Sequence, residues 1–322
     1  MTVADAIAVM LYTCTMTTKE QAQQIPEHIG DALNYCVTQL EASDVFFGHG
    51  TDNAWDESVQ LVLGAAEVAL DSDDGALQIA LLPAQREHIA DILSRRIKDR
   101  QPLPYLLGYA WFAGLRFRSD ARAIVPRSPL AELIHNDFAP WYSGPEPSRV
   151  LDLCCGSGCI GIATAHYLDG VEVDLADLDS QALTLAQENV ADFGLQNRVS
   201  VIHSDLFADV PCAAKYDLIL CNPPYVDAGD LASMPAEYGH EPKLALGSGS
   251  DGLDLSRRIL AQAEQYLNTD GLLVLEVGNS WVALEEAYPR VPFTWLEFAN
   301  GGHGVLAITR NELKEFSASF AL

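Results

Sequence analysis

A run of apolar residues, Leu218-Ile219-Leu220-Cys221, leads straight into Asn222-Pro223-Pro224-Tyr225. Both prolines lack an N–H, and each pushes the residue before it into an extended conformation. The loop is therefore stiff, with carbonyls free to accept hydrogen bonds from a ligand. Asn222 adds a side-chain oxygen and Tyr225 a flat ring. This set suits a planar –NH2 group, which offers two hydrogens to two acceptors and a π face to an aromatic ring. A Pro-Pro pair before an aromatic residue can also be a plain loop terminator. Its position at the end of an apolar strand favours the chemical reading.

A second constellation lies upstream, in Val150-Leu151-Asp152-Leu153-Cys154-Cys155-Gly156-Ser157-Gly158. An apolar strand ends in a glycine-bearing turn, and a helix carrying Ile160, Ile162 and Ala163 follows. Glycines there let the backbone approach a ligand, and the helix start offers free amide donors. About two dozen residues after Asp152, Val173-Asp174-Leu175-Ala176-Asp177 puts an acid at the end of the next strand, where a carboxylate can accept both hydroxyls of a ribose. Asp174, Asp177 and Asp179 crowd that strand end; Asp177 sits best, just after the apolar residues and before a helix led by Ser180. Gly161 comes too early for the full dinucleotide fingerprint, which favours a nucleoside without a pyrophosphate. His203-Ser204-Asp205-Leu206-Phe207 closes a third strand. Asp205 there could accept an adenine amino group or cap the following turn.

The elements that must position these residues follow from the apolar pattern. Strands are predicted at Val150–Leu153, Val171–Ala176, Val199–His203, Leu218–Cys221 and Leu272–Val277, with helical stretches between most of them. Phe293–Phe298 and Val305–Ile308 read as an antiparallel pair. Such alternation indicates an α/β fold, a mostly parallel doubly wound sheet with helices on both faces. From about Pro26 to Lys98 the texture is helical. Asp31 to Leu40 carries Leu33, Cys36, Val37 and Leu40 at helical spacing. A second helix starts near Asn53 with Trp55, Val59, Leu61, Val62 and Ala66 facing inward, and Pro83 opens a third through Ile89, Ile92, Leu93 and Ile97. Trp111-Phe112 and Leu115-Arg116-Phe117 suggest a β-hairpin between two domains. Ser128-Pro129 reads as a helix cap with proline in the first turn, leading into Leu130 to Phe138. The domain reading is a leader over 1–25, helices over 26–100, a hairpin linker over 101–127 and the sheet domain over 128–322.

Composition limits the partners. The chain has 322 residues, half of them apolar, and a formal net charge of −26 with only 19 Lys and Arg. Extended nucleic-acid binding needs cations to replace phosphate counterions, so direct nucleic-acid binding is not expected. A basic partner and a merely salt-adapted or soluble acidic surface are both compatible with the charge. No stretch approaches the roughly 20 apolar residues of a membrane span, and the Met1 to Met16 run lacks a basic start, so the reading is cytoplasmic with no membrane partner. The seven cysteines, Cys14, Cys36, Cys154, Cys155, Cys159, Cys212 and Cys221, are odd in number and scattered, which favours structural thiols. His49, His203 and His240 are too dispersed to argue for a metal.

Asp152-x-Cys154-Cys155-Gly156-Ser157-Gly158, an acidic strand end and Asn222-Pro223-Pro224-Tyr225, in this order, resemble the class I methyltransferases that act on planar amino nitrogens. Within them the chain is similar to the HemK-like protein glutamine methyltransferases. Pro104-Tyr105-Leu106, Trp111-Phe112, Pro126-Arg127, Glu241-Pro242, Gly252-Leu253 and Glu276-Val277-Gly278 resemble that family's other motifs. Phe47-Gly48-His49-Gly50-Thr51-Asp52-Asn53 and Pro126-Arg127-Ser128-Pro129 look like the subgroup acting on large-subunit ribosomal protein three. The resemblance covers about residues 27 to 315. Cys154-Cys155 departs from it where alanine, valine or threonine is commoner.

The resemblance implies a Rossmann-like methyltransferase domain with a small N-terminal helical domain for substrate recognition, joined by a β-hairpin. It implies S-adenosylmethionine as cofactor, leaving as S-adenosylhomocysteine, and no metal. Cofactor binding would fall to Asp152, Gly156, Ser157, Gly158, Asp177, Asp205 and Asn222, and catalysis to Asn222, Pro223, Pro224 and Tyr225. The expected substrate is a glutamine of a large-subunit ribosomal protein. The alternatives are a release-factor glutamine, an adenine amino group of nucleic acid, which requires base flipping, and a scaffold that binds without turnover.

Overall fold

The computed structural model describes residues 18–211 and 213–321. Most of the expected leader, together with Cys14 and Cys212, lies outside the described residues. The chain divides into two compact units: one runs to Tyr109 and also contains Pro235–His240, and the other comprises Ala110–Met234 and Glu241–Leu322.

The first unit is helical. After α1 (Thr18–Ala22) come α2 (Ile29–Glu41), α3 (Ala54–Ala66), α4 (Pro83–Lys98) and α5 (Leu103–Leu107). Their core is built from Ile29, Leu33, Cys36, Leu40, Leu61, Val62, Ile89 and Ile92. Asn53 caps α3 by accepting the Asp56 N–H at 2.9 Å. Trp55 does not face inward as its apolar character suggests: it is 51% exposed. The buried stripe of α3 runs through Ala54, Glu57, Ser58, Leu61, Val62 and Ala65, the i, i+3, i+4 spacing of one helix face, and position 55 falls off it. Arg96 is buried at the end of α4. Its Nε donates to Glu57 at 2.6 Å, its Nη1 to Glu237 at 3.2 Å and its Nη2 to the Phe46 carbonyl at 2.7 Å. Glu237 in turn accepts the Phe46 N–H at 2.9 Å, so this unit closes around a buried arginine supplied with carboxylates.

The second unit opens within a hairpin, β1 (Tyr109–Phe112) and β2 (Leu115–Arg118), whose first residue closes the first unit, and continues to the short α6 (Leu130–His135). Pro129 stands just before α6, and Ser128 Oγ accepts the Leu130 N–H at 3.2 Å. Then follow β3 (Arg149–Leu153), α7 (Cys159–Tyr167), β4 (Glu172–Asp177), α8 (Ser180–Asp192), β5 (Val199–His203) and β6 (Tyr216–Cys221). After α9 (Ala228–Ser233) and α10 (Asp254–Gln262) come β7 (Leu267–Glu276), α11 (Trp281–Ala287), β8 (Thr294–Trp295), β9 (Val305–Thr309) and α12 (Arg310–Glu315).

The sheet order is β5-β4-β3-β6-β7-β9-β8, parallel except for the antiparallel β7–β9 and β9–β8 pairs. All six residues of β6 are buried, as a central strand covered on both faces requires. Alternate residues of β3 enter different cores: Val150 packs with Leu218 and Val274, and Leu151 with Ile219 and Leu273. Strand order reverses between β3 and β6, so a crevice opens at their carboxyl ends. The sheet is the Rossmann-like class I methyltransferase arrangement expected from the sequence. The strand read at Phe293–Phe298 shortens to Thr294–Trp295, registered against Ala307 and Leu306 of β9, with one further bond from the Leu296 N–H to the Val305 carbonyl at 2.9 Å. Among the described residues no helix is long and apolar enough to cross a membrane.

Candidate active site

The turn after β3 is tied to the end of β4. Cys155 donates its N–H to the Ala176 carbonyl at 3.1 Å, and Gly156 donates to Asp177 Oδ2 at 2.8 Å. Asp177 Oδ1 accepts the Asp179 N–H at 2.9 Å. Gly156 and Gly158 adopt φ of 55° and 78°, the left-handed region that glycine enters freely. A Cβ on Gly158 would also meet Leu175 Cδ1 at 2.9 Å. Cys154 shares that region at φ 61°.

Asp152 is fully buried beneath the turn, where Oδ2 accepts the Gly161 N–H at 2.8 Å and Oδ1 has no hydrogen-bond partner. Burial, and secondarily the Asp177 charge, push its carboxyl up to about 7 against the pull of the Gly161 N–H. Burial also raises Asp177, although its backbone bonds pull the other way. Ser157 is buried, its carbonyl accepting Asn189 Nδ2 at 3.0 Å. Among the described residues Cys36, Cys154, Cys155, Cys159 and Cys221 are free thiols, and burial pushes Cys159 up to about 12, leaving it protonated and unreactive.

A cavity of about 210 Å³ opens above this turn. Gly156, Asp177, Asp179, Asp205, Asn222 and Pro224 are among its walls. Asp174 is not: it is held by Arg149 at 2.8 Å and by the Tyr216 hydroxyl at 2.7 Å. Of the three acids that crowd the strand end, Asp174 thus separates from Asp177 and Asp179, which both line the cavity, because it lies three residues earlier along β4. Asp205 is half exposed and pairs with Arg258 Nη2 at 2.9 Å. Sequence reasoning missed Arg258, Leu244 and Leu255, which also wall the cavity. The signals nearest to them were Glu241-Pro242 and Gly252-Leu253, and Pro242 itself lines the cavity.

Cys221 of β6 stands in register with Leu153 of β3, which brings Asn222 beside the glycine turn. Asn222 and Pro224 border the first cavity, and Tyr225 borders a second of about 380 Å³ together with Arg127, Ser128 and Glu276. Val226 anchors the loop's far end through bonds of 2.9 and 3.0 Å with Leu246 and Ser248. Arg127 forks onto Glu241 with two bonds of 2.7 Å. The expected site residues Gly156, Asp177, Asp205, Asn222, Pro224 and Tyr225 therefore line two adjoining cavities. Asp152 and Ser157 lie beneath the turn that forms one wall. His49 packs on the Tyr238 ring and His240 bonds the Asp99 carbonyl, both within the helical unit.

The methyltransferase small domain family matches residues 140–237. A ribosomal protein uL3 glutamine methyltransferase from Francisella tularensis is 47% identical over 293 residues, covering 91% of this chain and 93% of the relative. Its counterpart from Bordetella pertussis is 46% identical over 284 residues, covering 88% and 95%. Among solved structures, a T. thermophilus 16S rRNA N2 G1207 methyltransferase in complex with AdoMet and guanosine is 20% identical with a TM-score of 0.44, covering 62% of this chain and 49% of that one.

Proposed function

The chain belongs to the ribosomal protein uL3 glutamine methyltransferase family, and from that membership we propose that it transfers a methyl group from S-adenosylmethionine to the side-chain amide nitrogen of a glutamine in ribosomal protein uL3. One observation carries the reading: a single stiff loop borders two cavities, with Asn222 and Pro224 on one and Tyr225 on the other. A methyl donor in the first and an amide in the second would meet at Asn222-Pro223.

The donor set of the first cavity fits an adenosyl group. Gly156 presents backbone without a side chain to the cavity, and Gly158 lets the turn pack closely on Leu175 beneath it. The Asp177 carboxylate accepts two backbone N–H groups and has lone pairs left for ribose hydroxyls. Asp205 can accept the adenine amino group beside its Arg258 pair, and Asp152 with Ser157 keeps the turn in shape. When bound, S-adenosylmethionine supplies a methyl group already activated on a sulfonium, so the remaining task is alignment.

A glutamine nitrogen is a poor nucleophile because its lone pair is delocalised into the carbonyl. Asn222 Oδ1 and the Pro223 carbonyl accept its two N–H groups, aim the nitrogen and favour the positive charge that develops on it. The Tyr225 ring holds the amide plane, and Pro224 keeps the loop extended. No general base and no metal are required, because a methylated amide nitrogen is acidic enough to lose its proton to water.

The helical unit is the recognition module in this reading. Its Phe47-to-Asn53 segment supplies Gly48, Gly50, Thr51 and Asp52 to a groove of about 550 Å³ that also holds Asp56, a lining suited to a basic segment. The test is incubation of the purified enzyme and S-adenosylmethionine with purified uL3, read by peptide mass spectrometry. The expected product is uL3 with one glutamine 14 Da heavier (about one CH2) and no change in a release factor. Methylation of the release factor alone would overturn the substrate, and methylation of neither would overturn the reaction.

A further inference from the structure

Glu276 ends β7 and is buried, 5% exposed. Cys221 pairs with Leu275, so Glu276 stands level with Asn222 on the neighbouring strand. One carboxylate oxygen accepts the Ser128 hydroxyl at 2.6 Å and the other accepts the Tyr225 hydroxyl at 3.1 Å. The residues that follow hold the same tyrosine at two further points. Ser280 Oγ donates to the Tyr225 carbonyl at 2.8 Å. Gly278, at φ 48°, packs against the ring so closely that a Cβ there would sit 2.4 Å from it. Behind the turn, the N–H groups of Val277 and Gly278 both reach the Gly304 carbonyl, at 2.7 and 3.2 Å. The segment from Glu276 to Ser280 is thus a rigid cradle for one side chain of the acceptor loop.

We propose that Glu276 is a positioning residue for methyl transfer: as a carboxylate it accepts from Ser128 and Tyr225 together, and so sets the angle of the Tyr225 ring against the acceptor amide. The proposal rests on the amide-methylation reading. Its chemistry follows from counting donors. A carboxylate can accept from both hydroxyls at once, whereas a protonated carboxyl carries a hydrogen on one oxygen, so the hydroxyl on that side must reverse from donor to acceptor and the pair of bonds that orients the ring is no longer the same.

Burial pushes Glu276 up to about 7, against the pull of its Ser128 and Tyr225 bonds and the Arg127 charge. The charged and titratable groups facing this cavity are few. Arg127 is paired with Glu241, Glu132 is tied to the N–H groups of Ala299 and Asn300, and Tyr225 bonds Glu276 itself. From β9 the registered neighbour is the apolar Val305, and just before it His303 bonds the Asn279 side chain of the cradle at 2.8 Å. Ionisation of Glu276 therefore falls in the neutral range, with kcat rising as pH rises through about 7.

The experiment compares the wild type with Glu276→Gln, Tyr225→Phe and the double variant, with cofactor varied up to saturation at saturating uL3, from pH 5.5 to 8.5. Glu276→Gln should lower kcat by about 10- to 100-fold, the scale of a misplaced reacting geometry. It should lose the acidic limb and leave the KM for cofactor unchanged. The double variant should be no slower than the slower single variant, because both act through one ring. A wild-type acidic limb that survives in Glu276→Gln, or losses that multiply in the double variant, would overturn the proposal. In the substrate-free protein, NMR of a labelled Tyr225 should report a titration near pH 7 that Glu276→Gln removes. That readout separates the two claims. A wild type that methylates nothing would sink the amide reading, while a Tyr225 signal blind to Glu276 would sink the positioning role.

Discussion

Replacing Asp177 with alanine tests the cofactor side most directly, because one carboxylate has two tasks there. It holds the glycine turn through Gly156 at 2.8 Å and the start of α8 through Asp179 at 2.9 Å. Its remaining lone pairs face the cavity and would accept the ribose hydroxyls. A hydrogen bond to a charged group contributes about 1.5–3 kcal/mol. Losing the ribose contact should therefore weaken S-adenosylhomocysteine binding by about 10- to 150-fold. Stability should fall less, by about 1–2 kcal/mol, because removing a carboxylate that burial disfavours recovers part of the lost bonding. Asp177→Asn separates the two effects. Its oxygen can still accept one backbone N–H, but its NH2 faces the other donor. Titration calorimetry with S-adenosylhomocysteine and urea unfolding followed by circular dichroism measure the two quantities. An unchanged dissociation constant in the alanine variant would refute the assignment and transfer the ribose role to Asp179, which lines the same cavity.

Asn222→Ala should abolish turnover while largely sparing S-adenosylhomocysteine affinity by calorimetry, since its oxygen is assigned to the amide; a parallel collapse of affinity would show that division to be wrong. Methylation of purified uL3 should slow as salt rises, chiefly in kcat/KM, because an enzyme of net charge −26 is steered toward a basic partner across a Debye length of about 8 Å at physiological ionic strength. A salt-independent kcat/KM would argue for a merely salt-adapted surface. Asp152 is pushed up from 3.8 to about 7, so its contribution to stability is fully present below about 4 and is lost as pH rises through about 7. Asp152→Asn should consequently gain thermal stability relative to the wild type at pH 8, by an amount on the order of 4 kcal/mol, and little at pH 4; equal shifts in melting temperature at both values would contradict this.

Local constraints were legible in the sequence because they act over a few residues. Strands buried on both faces are near-continuously apolar, so β3, β4, β6 and much of β7 could be read directly even with Asp152, Asp174 and Asp217 among them. Two prolines stiffen a backbone wherever they occur, and a glycine turn between a strand and a helix is a local event, so Asn222-Pro223-Pro224-Tyr225 and the Gly156–Gly158 turn stood out. Long-range pairing decided the rest. Trp55 has the right hydrophobicity for a core and the wrong helical phase, which only the packing of α3 revealed. Sequence position favoured Asp177 over Asp174 but did not show what takes up each acid: Arg149 and Tyr216 hold the first and the glycine turn the second. Glu237 joins Arg96 across 141 residues of chain, and Tyr225 joins Glu276 across 51. An acid in an ordinary stretch carries no local sign of burial. Its partner is chosen by the path of the chain, and the desolvation that makes it functional exists only once that path has closed.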